Sequence, residues 1–231
     1  MRKTIILALL LLPFSIQLTT AQQRQRLNEG WEFVKHDLGG VWEAVRPHKP
    51  GSPETLPIWE KVTLPHSFNA TDAVAPGVNY YQGPGWYRTT LTIDNPYEQG
   101  RVLLHFEGAG QKTEVYIHTQ KVAEHVGGYD EWVVDITDAI AAYGSNEVPL
   151  VIRCDNSRDL ELIPSDLSDF NVYGGIYRYL NLAYVPSLSV DKAFATVTID
   201  PAGEEGLVQL FNSVLISFHP KIRRHPTRPV S

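Results

Sequence analysis

Asp169 and Asn171 stand just ahead of Gly174 and Gly175 in the run SDFNVYGGIYRYLNL, from Ser168 to Leu182. A carboxylate and an amide can pair with hydroxyl groups, and glycines adopt backbone conformations that other residues resist. The run reads as a polar loop mounted on a Gly-Gly turn beside a strand. Aromatic residues crowd other polar stretches: Tyr80 and Tyr81, Trp86 and Tyr87, Tyr129 and Trp132, Tyr173 and Tyr177. Sugars offer C–H faces that stack on aromatic rings, and hydroxyls that pair with carboxylates and amides. Asp169, Asn171, Asp72 and Asn79, with Tyr80 and Tyr81 beside them, are therefore candidate sugar contacts. The opposing reading of each ring is a core or strand-pair residue.

Chemistry on a glycosidic bond needs more than contact. It needs two carboxyl groups flanking one bond, a few ångströms apart. Asn28-Glu29 and Asn146-Glu147 are the dipeptides that resemble an acid/base motif; the first lies near the N-terminus and the second in a Gly-Ser-Asn-Glu turn, and both read as solvated turn residues. No catalytic residue is assigned. The histidines show neither i,i+4 pairs nor cysteine partners, so no metal site is indicated. His66, in Leu64-Pro65-His66-Ser67-Phe68, reads as a hydrogen-bonded structural residue rather than a base. No nucleophile-elbow, P-loop or dinucleotide fingerprint is present, and no cofactor is expected.

Arg2 and Lys3, an apolar run from Ile5 to Ile16 and Thr19-Thr20-Ala21 before Gln22 have the parts of a secretory signal peptide. The run is short for a membrane span, and residues 1–21 are expected to be removed from an exported, periplasmic or secreted chain. The remainder is enough for one full domain and little more. Cys154 is the single cysteine, so no internal disulfide can form, and its place on an apolar strand face marks it as inert core. A formal charge of −6 disfavours nucleic acid or an anionic membrane as partner. From Phe218 onward the balance reverses, with Lys221, Arg223, Arg224, Arg228 and three prolines and no acidic residue.

Period-two alternation recurs in short blocks, the mark of half-buried strands. Tyr87, Thr89, Leu91 and Ile93 share one face. So do Val115 and Ile117; Trp132, Val134 and Ile136; Val148, Leu150, Ile152 and Cys154; and Leu180, Leu182 and Tyr184. Gly, Pro, Asn and Asp punctuate these blocks, which predicts an all-β, two-sheet antiparallel sandwich. One helical turn is expected from Thr137 to Ala142, with Thr137 as N-cap. After Pro186 a new alternating block runs from Leu188 to Ile199 and another from Leu207 to Phe211, reading as the opening of a second β domain. Residues past about Phe211 are expected to be disordered, since two strands cannot bury a core.

The ordered segments Arg26–Phe33 (RLNEGWEF), Trp59–Asn69 (WEKVTLPHSFN), Tyr80–Arg88 (YYQGPGWYR), Phe106–His118 (FEGAGQKTEVYIH), Gly127–Asp138 (GGYDEWVVDITD) and Asp169–Arg178 (DFNVYGGIYR) resemble the N-terminal jelly-roll domain of glycoside hydrolase family 2. That family includes β-galactosidases, β-glucuronidases and β-mannosidases. The resemblance implies a galactose-binding-domain-like jelly roll over residues 22–186, and the start of an immunoglobulin-like domain with a basic tail over 187–231. It also implies that the catalytic glutamates belong to a (β/α)₈ barrel outside this sequence. By the same resemblance Asp169 matches a loop aspartate that contacts substrate. Asn171, Tyr80, Tyr81 and Asn79 are further possible contacts. The expected partner is a carbohydrate, most readily a β-galactoside, although galactoside, glucuronide and mannoside are not separated. A truncated or frameshifted gene and a natural short protein both remain open. So do a free-standing carbohydrate-binding module and a purely structural domain.

Overall fold

The computed structural model describes residues 22–47, 57–163, 165, 171–203 and 206–216. Within them the alternating blocks form two antiparallel sheets. The smaller runs in the order β1 (Gln23–Arg26), β12 (Leu180–Val185), β6 (Arg101–Phe106), β9 (Trp132–Asp135). The larger runs β3 (Glu60–Val62), β2 (Trp31–Val34), β5 (Pro84–Thr92), β10 (Glu147–Asp155), β7 (Lys112–Ile117), β8 (Gln120–Val126). Strand β10 sits between β5 and β7, so sequence neighbours are separated in space and the chain crosses repeatedly between sheets. The expected all-β jelly-roll sandwich is the fold observed.

Register turns the sequence alternation into a core. Leu150 faces Thr89 on one side and Ile117 on the other, and Ile152 faces Tyr87 and Val115. Val148, Leu150, Ile152 and Cys154 are all fully buried on the inner face of β10. From the smaller sheet Leu104, Phe106, Leu180 and Leu182 meet them, and Trp31 and Tyr87 fill the space between. Each large side chain buried this way contributes about 1.5–3 kcal/mol. Burial pushes the Cys154 thiol up to about 12, so it is a neutral core residue.

Several local expectations change in three dimensions. Tyr87 lies on β5 as its alternation implies, and Trp86, counted among the crowding aromatics, is buried on the opposite face of that strand. Trp86 belongs to a second apolar cluster on the outer face of the larger sheet, with Val34, Ala44 and Val151, near the short helix α1 (Trp42–Val45). Trp132 likewise lies in a strand, stacked on Phe106 at 4.2 Å. Helix α2 spans Thr137–Tyr143, and Thr137 is its first helical residue rather than its cap. Asp135 Oδ1 takes the Thr137 backbone N–H, while the Thr137 hydroxyl oxygen takes the Val102 N–H, so the threonine is occupied across the sheet. Strand β8 escapes a period-two reading because it is an edge strand with both faces largely exposed.

Beyond the sandwich, β13 (Leu188–Ile199) and β14 (Gly206–Ile216) form a hairpin. Strand β14 continues past Phe211, where the sequence led us to expect order to end; residues 217–231 lie outside the described residues. In the ladder the hairpin strands pair only with each other. Leu188, Val190, Phe194, Val197, Ile199, Leu207, Val208, Leu210 and Phe211 are each more than half exposed. A two-stranded hairpin is at best marginally stable in water. A chain ending at Pro186 is therefore expected to melt within about 2 °C of the full chain in circular dichroism. A drop of several degrees would show instead that the hairpin supports the sandwich.

Candidate functional site at one end of the sandwich

Two buried asparagines, Asn69 and Asn156, tie together segments far apart in the sequence. Asn69 follows the two-residue strand β4 (His66–Ser67), and Asn156 follows β10. Asn69 Nδ2 donates to the Val172 carbonyl at 2.9 Å and the Tyr81 carbonyl at 3.3 Å, and its Oδ1 accepts the Gly174 N–H at 2.9 Å. Asn156 Nδ2 donates to the same two carbonyls, at 2.8 Å and 3.1 Å, while its Oδ1 accepts the Gly83 N–H at 2.9 Å. The Tyr80 hydroxyl adds a third donor to Val172, at 2.8 Å. Loop backbone that runs inside a protein must find partners for its polar groups; here two side chains supply them.

Gly174 and Gly175 are not the turn that their sequence suggests. Gly175 opens the short strand β11 (Gly175–Ile176), which pairs with β4, and it bridges to Gly110. Its φ is +122°, and a Cβ there would meet the His66 carbonyl at 2.5 Å and the Tyr87 hydroxyl at 2.6 Å. At Gly174 a Cβ would fall 2.1 Å from the Phe68 ring. The pair thus permits a close approach of three backbones. His66, on the partner strand, holds its Nδ1 2.9 Å from the Tyr87 hydroxyl. Burial holds its pKa below the ordinary value, consistent with a hydrogen-bonded structural residue.

The clamp positions a group of tyrosines. Tyr173 projects from the clamped segment, and its hydroxyl takes a bond from Asn171 Nδ2 at 3.2 Å. Tyr129, more than half exposed, lies on the β8–β9 connection with its ring 6.0 Å from that of Tyr177. The Tyr177 hydroxyl donates to the Gly128 carbonyl. Burial raises the Tyr80 and Tyr129 hydroxyls above their ordinary pKa, and neighbouring tyrosines raise them further: Tyr173 acts on both, and Tyr129 acts on Tyr80. Behind the group lies Gln111, buried, whose Nε2 reaches the Tyr173 carbonyl at 3.4 Å.

The sequence candidates divide accordingly. Tyr80, Asn171, Tyr129, Tyr173 and Tyr177 come to one end of the sandwich. Tyr81 turns inward: its ring packs edge-on against Phe68, and its hydroxyl donates to the Pro84 carbonyl at 2.8 Å. Asp72 is buried, accepting the Tyr81 N–H at 3.0 Å and facing Lys35 at 3.6 Å, so its charge holds the loop. Asn79 is exposed on the loop before Tyr80. Asp169 lies outside the described residues. Glu29 and Glu147 are exposed, and Glu147 accepts the Thr92 hydroxyl at 2.9 Å. Among the described residues no cluster of metal-ligating side chains occurs. Asn69, Asn156 and Gln111 carry no local motif; only the fold shows what they do.

Comparison with known proteins accords with this architecture. Residues 42–186 match the family described as glycosyl hydrolases family 2, sugar binding domain. The chain belongs to that family. The crystal structure of a Parabacteroides merdae β-glucuronidase superposes with a TM-score of 0.81 at 57% identity, covering 84% of this chain and 26% of that one. A putative β-glucuronidase of Formosa agariphila is 31% identical over 204 residues, 88% of this chain and 23% of that protein. A β-galactosidase of Thermoanaerobacter pseudethanolicus is 30% identical over 171 residues, 74% of this chain and 22% of that protein. The chain spans about a quarter of the length of these relatives.

The shared acceptors of the clamp make a quantitative test. Asn69→Ala and Asn156→Ala each leave a buried N–H without a partner, Gly174 in one case and Gly83 in the other, and each is expected to cost about 1–3 kcal/mol in urea unfolding. The Tyr81 carbonyl keeps one asparagine donor in either single variant and none in the double. The double variant should therefore exceed the sum by about 0.5 kcal/mol or more. Strict additivity would mean that the two side chains do not form one clamp.

Proposed function

We propose that this sandwich is the sugar-binding N-terminal domain of an exo-acting β-glycosidase that cleaves β-glucuronides. The supporting observation is the likeness to the Parabacteroides merdae β-glucuronidase over most of the chain, at an identity well above that of the β-galactosidase match. The preference differs from the β-galactoside expected from sequence, which stands as the second substrate reading on the strength of that more distant match. The domain's part is to present its clamped loops to the sugar, while paired carboxyl groups elsewhere in the enzyme perform the chemistry.

The geometry supports this division. The loop between Asn69 and Tyr80 exposes Val74 and Val78, and the segment after Asn156 exposes Leu160 and Ile163. Exposed apolar residues on these loops suit contact with another domain. Asp169, next to the clamped segment, is assigned the direct sugar contact. Residues 1–21 are assigned as an export signal, placing the mature chain in the periplasm or outside the cell.

Three experiments test the reading. Residues 22–186 should replace the corresponding segment of the Parabacteroides merdae β-glucuronidase and leave hydrolysis of an aryl β-glucuronide within about tenfold of the parent, a change of about 1.4 kcal/mol in the barrier. In that chimera Asp169→Ala should lower kcat/KM tenfold to a hundredfold, the loss of a charged hydrogen bond of about 1.5–3 kcal/mol, with Tm unchanged. A folded but inactive chimera would refute the assignment of the domain; an Asp169→Ala chimera that keeps full activity but melts lower would make Asp169 a turn residue. For export, the chain secreted from a bacterial host should begin at Gln22 by mass spectrometry, and retention of Met1 in the cytoplasm would reject the signal.

A further inference from the structure

Three tyrosines at the clamped end come from three different connections: Tyr80 from the loop before β5, Tyr129 from the β8–β9 connection and Tyr173 from the segment before β11. Contacts within the fold gather them: the Tyr80 hydroxyl reaches the carbonyl of Val172, next to Tyr173, and Gln111, which reaches the Tyr173 carbonyl, packs against Gly128, next to Tyr129. Tyr80 is tied to the Val172 carbonyl and Tyr173 to the Asn171 amide. The Tyr129 ring is braced by Tyr177, itself anchored on Gly128. Gly128 leaves room for this: a Cβ there would meet the Tyr177 hydroxyl at 2.3 Å and the Gln111 side chain at 2.8 Å. The rings are therefore held in place while their outer surfaces stay partly exposed, with Tyr129 more than half so.

Core aromatics in this protein are buried to a few per cent, as Trp31, Tyr87 and Phe106 are. The clamped tyrosines instead stay partly exposed. Ring faces attract the weakly positive C–H surface of a pyranose, and hydroxyl edges can accept or donate to its hydroxyls.

We infer that Tyr129 and Tyr173, with Tyr80 at their edge, form a stacking face for a pyranoside ring that binds sugar without help from any other domain. The inference rests on the reading of this domain as one that works on glycans, and it adds the residues and the mode of contact. Stacking reads the ring's C–H face, which glucuronides and galactosides both possess, so the face takes either sugar. Selection between them falls to groups outside it.

The test uses the purified chain with methyl β-D-glucuronide and methyl β-D-galactoside as probes in saturation-transfer NMR. Saturating the tyrosine ring protons should transfer to the sugar C–H protons of both glycosides, in a saturable way. Removing two rings in Tyr129→Ala/Tyr173→Ala should weaken binding by about tenfold or more, since each aromatic contact contributes several-fold. Tyr143→Ala serves as control, because Tyr143 is an exposed tyrosine on α2 whose ring tilts against His118, away from the clamp, and it should change nothing. If the double variant fails to fold, Tyr129→Ala alone carries the test, since that side chain is exposed. Absence of saturable transfer from either glycoside, or binding that survives removal of the rings, overturns the stacking face. An active chimera built from a chain that binds neither glycoside would reject the face while leaving the domain assignment standing; binding with an inactive chimera would do the reverse.

Discussion

The Val172 carbonyl is the point on which the site end of this molecule depends. It accepts from Asn69, Asn156 and Tyr80 at once, more donors than its two lone pairs can serve at full strength. The individual bonds are therefore weaker than their distances suggest, and their value lies in geometry. Donors up to 103 positions away in sequence are brought to one atom. Leaving a buried amide or carbonyl unpaired costs more than pairing it gains, so the segments have one low-energy arrangement and the tyrosines they carry have one set of positions.

The two halves of the architecture use different physics. Between the sheets the energy is apolar burial, nearly independent of direction, and many side chains of the right volume would serve. At the clamped end it is hydrogen bonding, and identity matters: an aspartate at position 69 or 156 would lose the donors that hold Val172 and Tyr81. The short β4–β11 pairing joins the halves. Its glycines allow backbone to pass where side chains would collide with Phe68, His66 and Tyr87. The same residues thus close the core and set the loop.

This arrangement explains how a domain with no assigned catalytic group can belong to a family of hydrolases. A sandwich held by packing offers stable anchors for its loops. Asp72 illustrates the economy of such loops. It looks like a sugar partner in the sequence, yet its charge is committed to Tyr81 and Lys35, and what it contributes is the position of Tyr80 next to it.

From the sequence alone the strands of the core could be read, because alternation at period two must put one face inward and β5, β7, β9, β10 and β12 each carry it. The inertness of Cys154 and the structural part of His66 followed from the same apolar surroundings, and the ordered motifs carried the family. Strand β8 was not legible, since an exposed edge has no face to mark. Tyr81 and Tyr80 could not be told apart as neighbours in a row, although one turns into the core and the other outward to the clamp. Asn69, Asn156 and Gln111 gave no local signal at all. Their roles depend on partners distant in the chain, and only the tertiary structure, by bringing those carbonyls and amides to within hydrogen-bond distance, decided what they do.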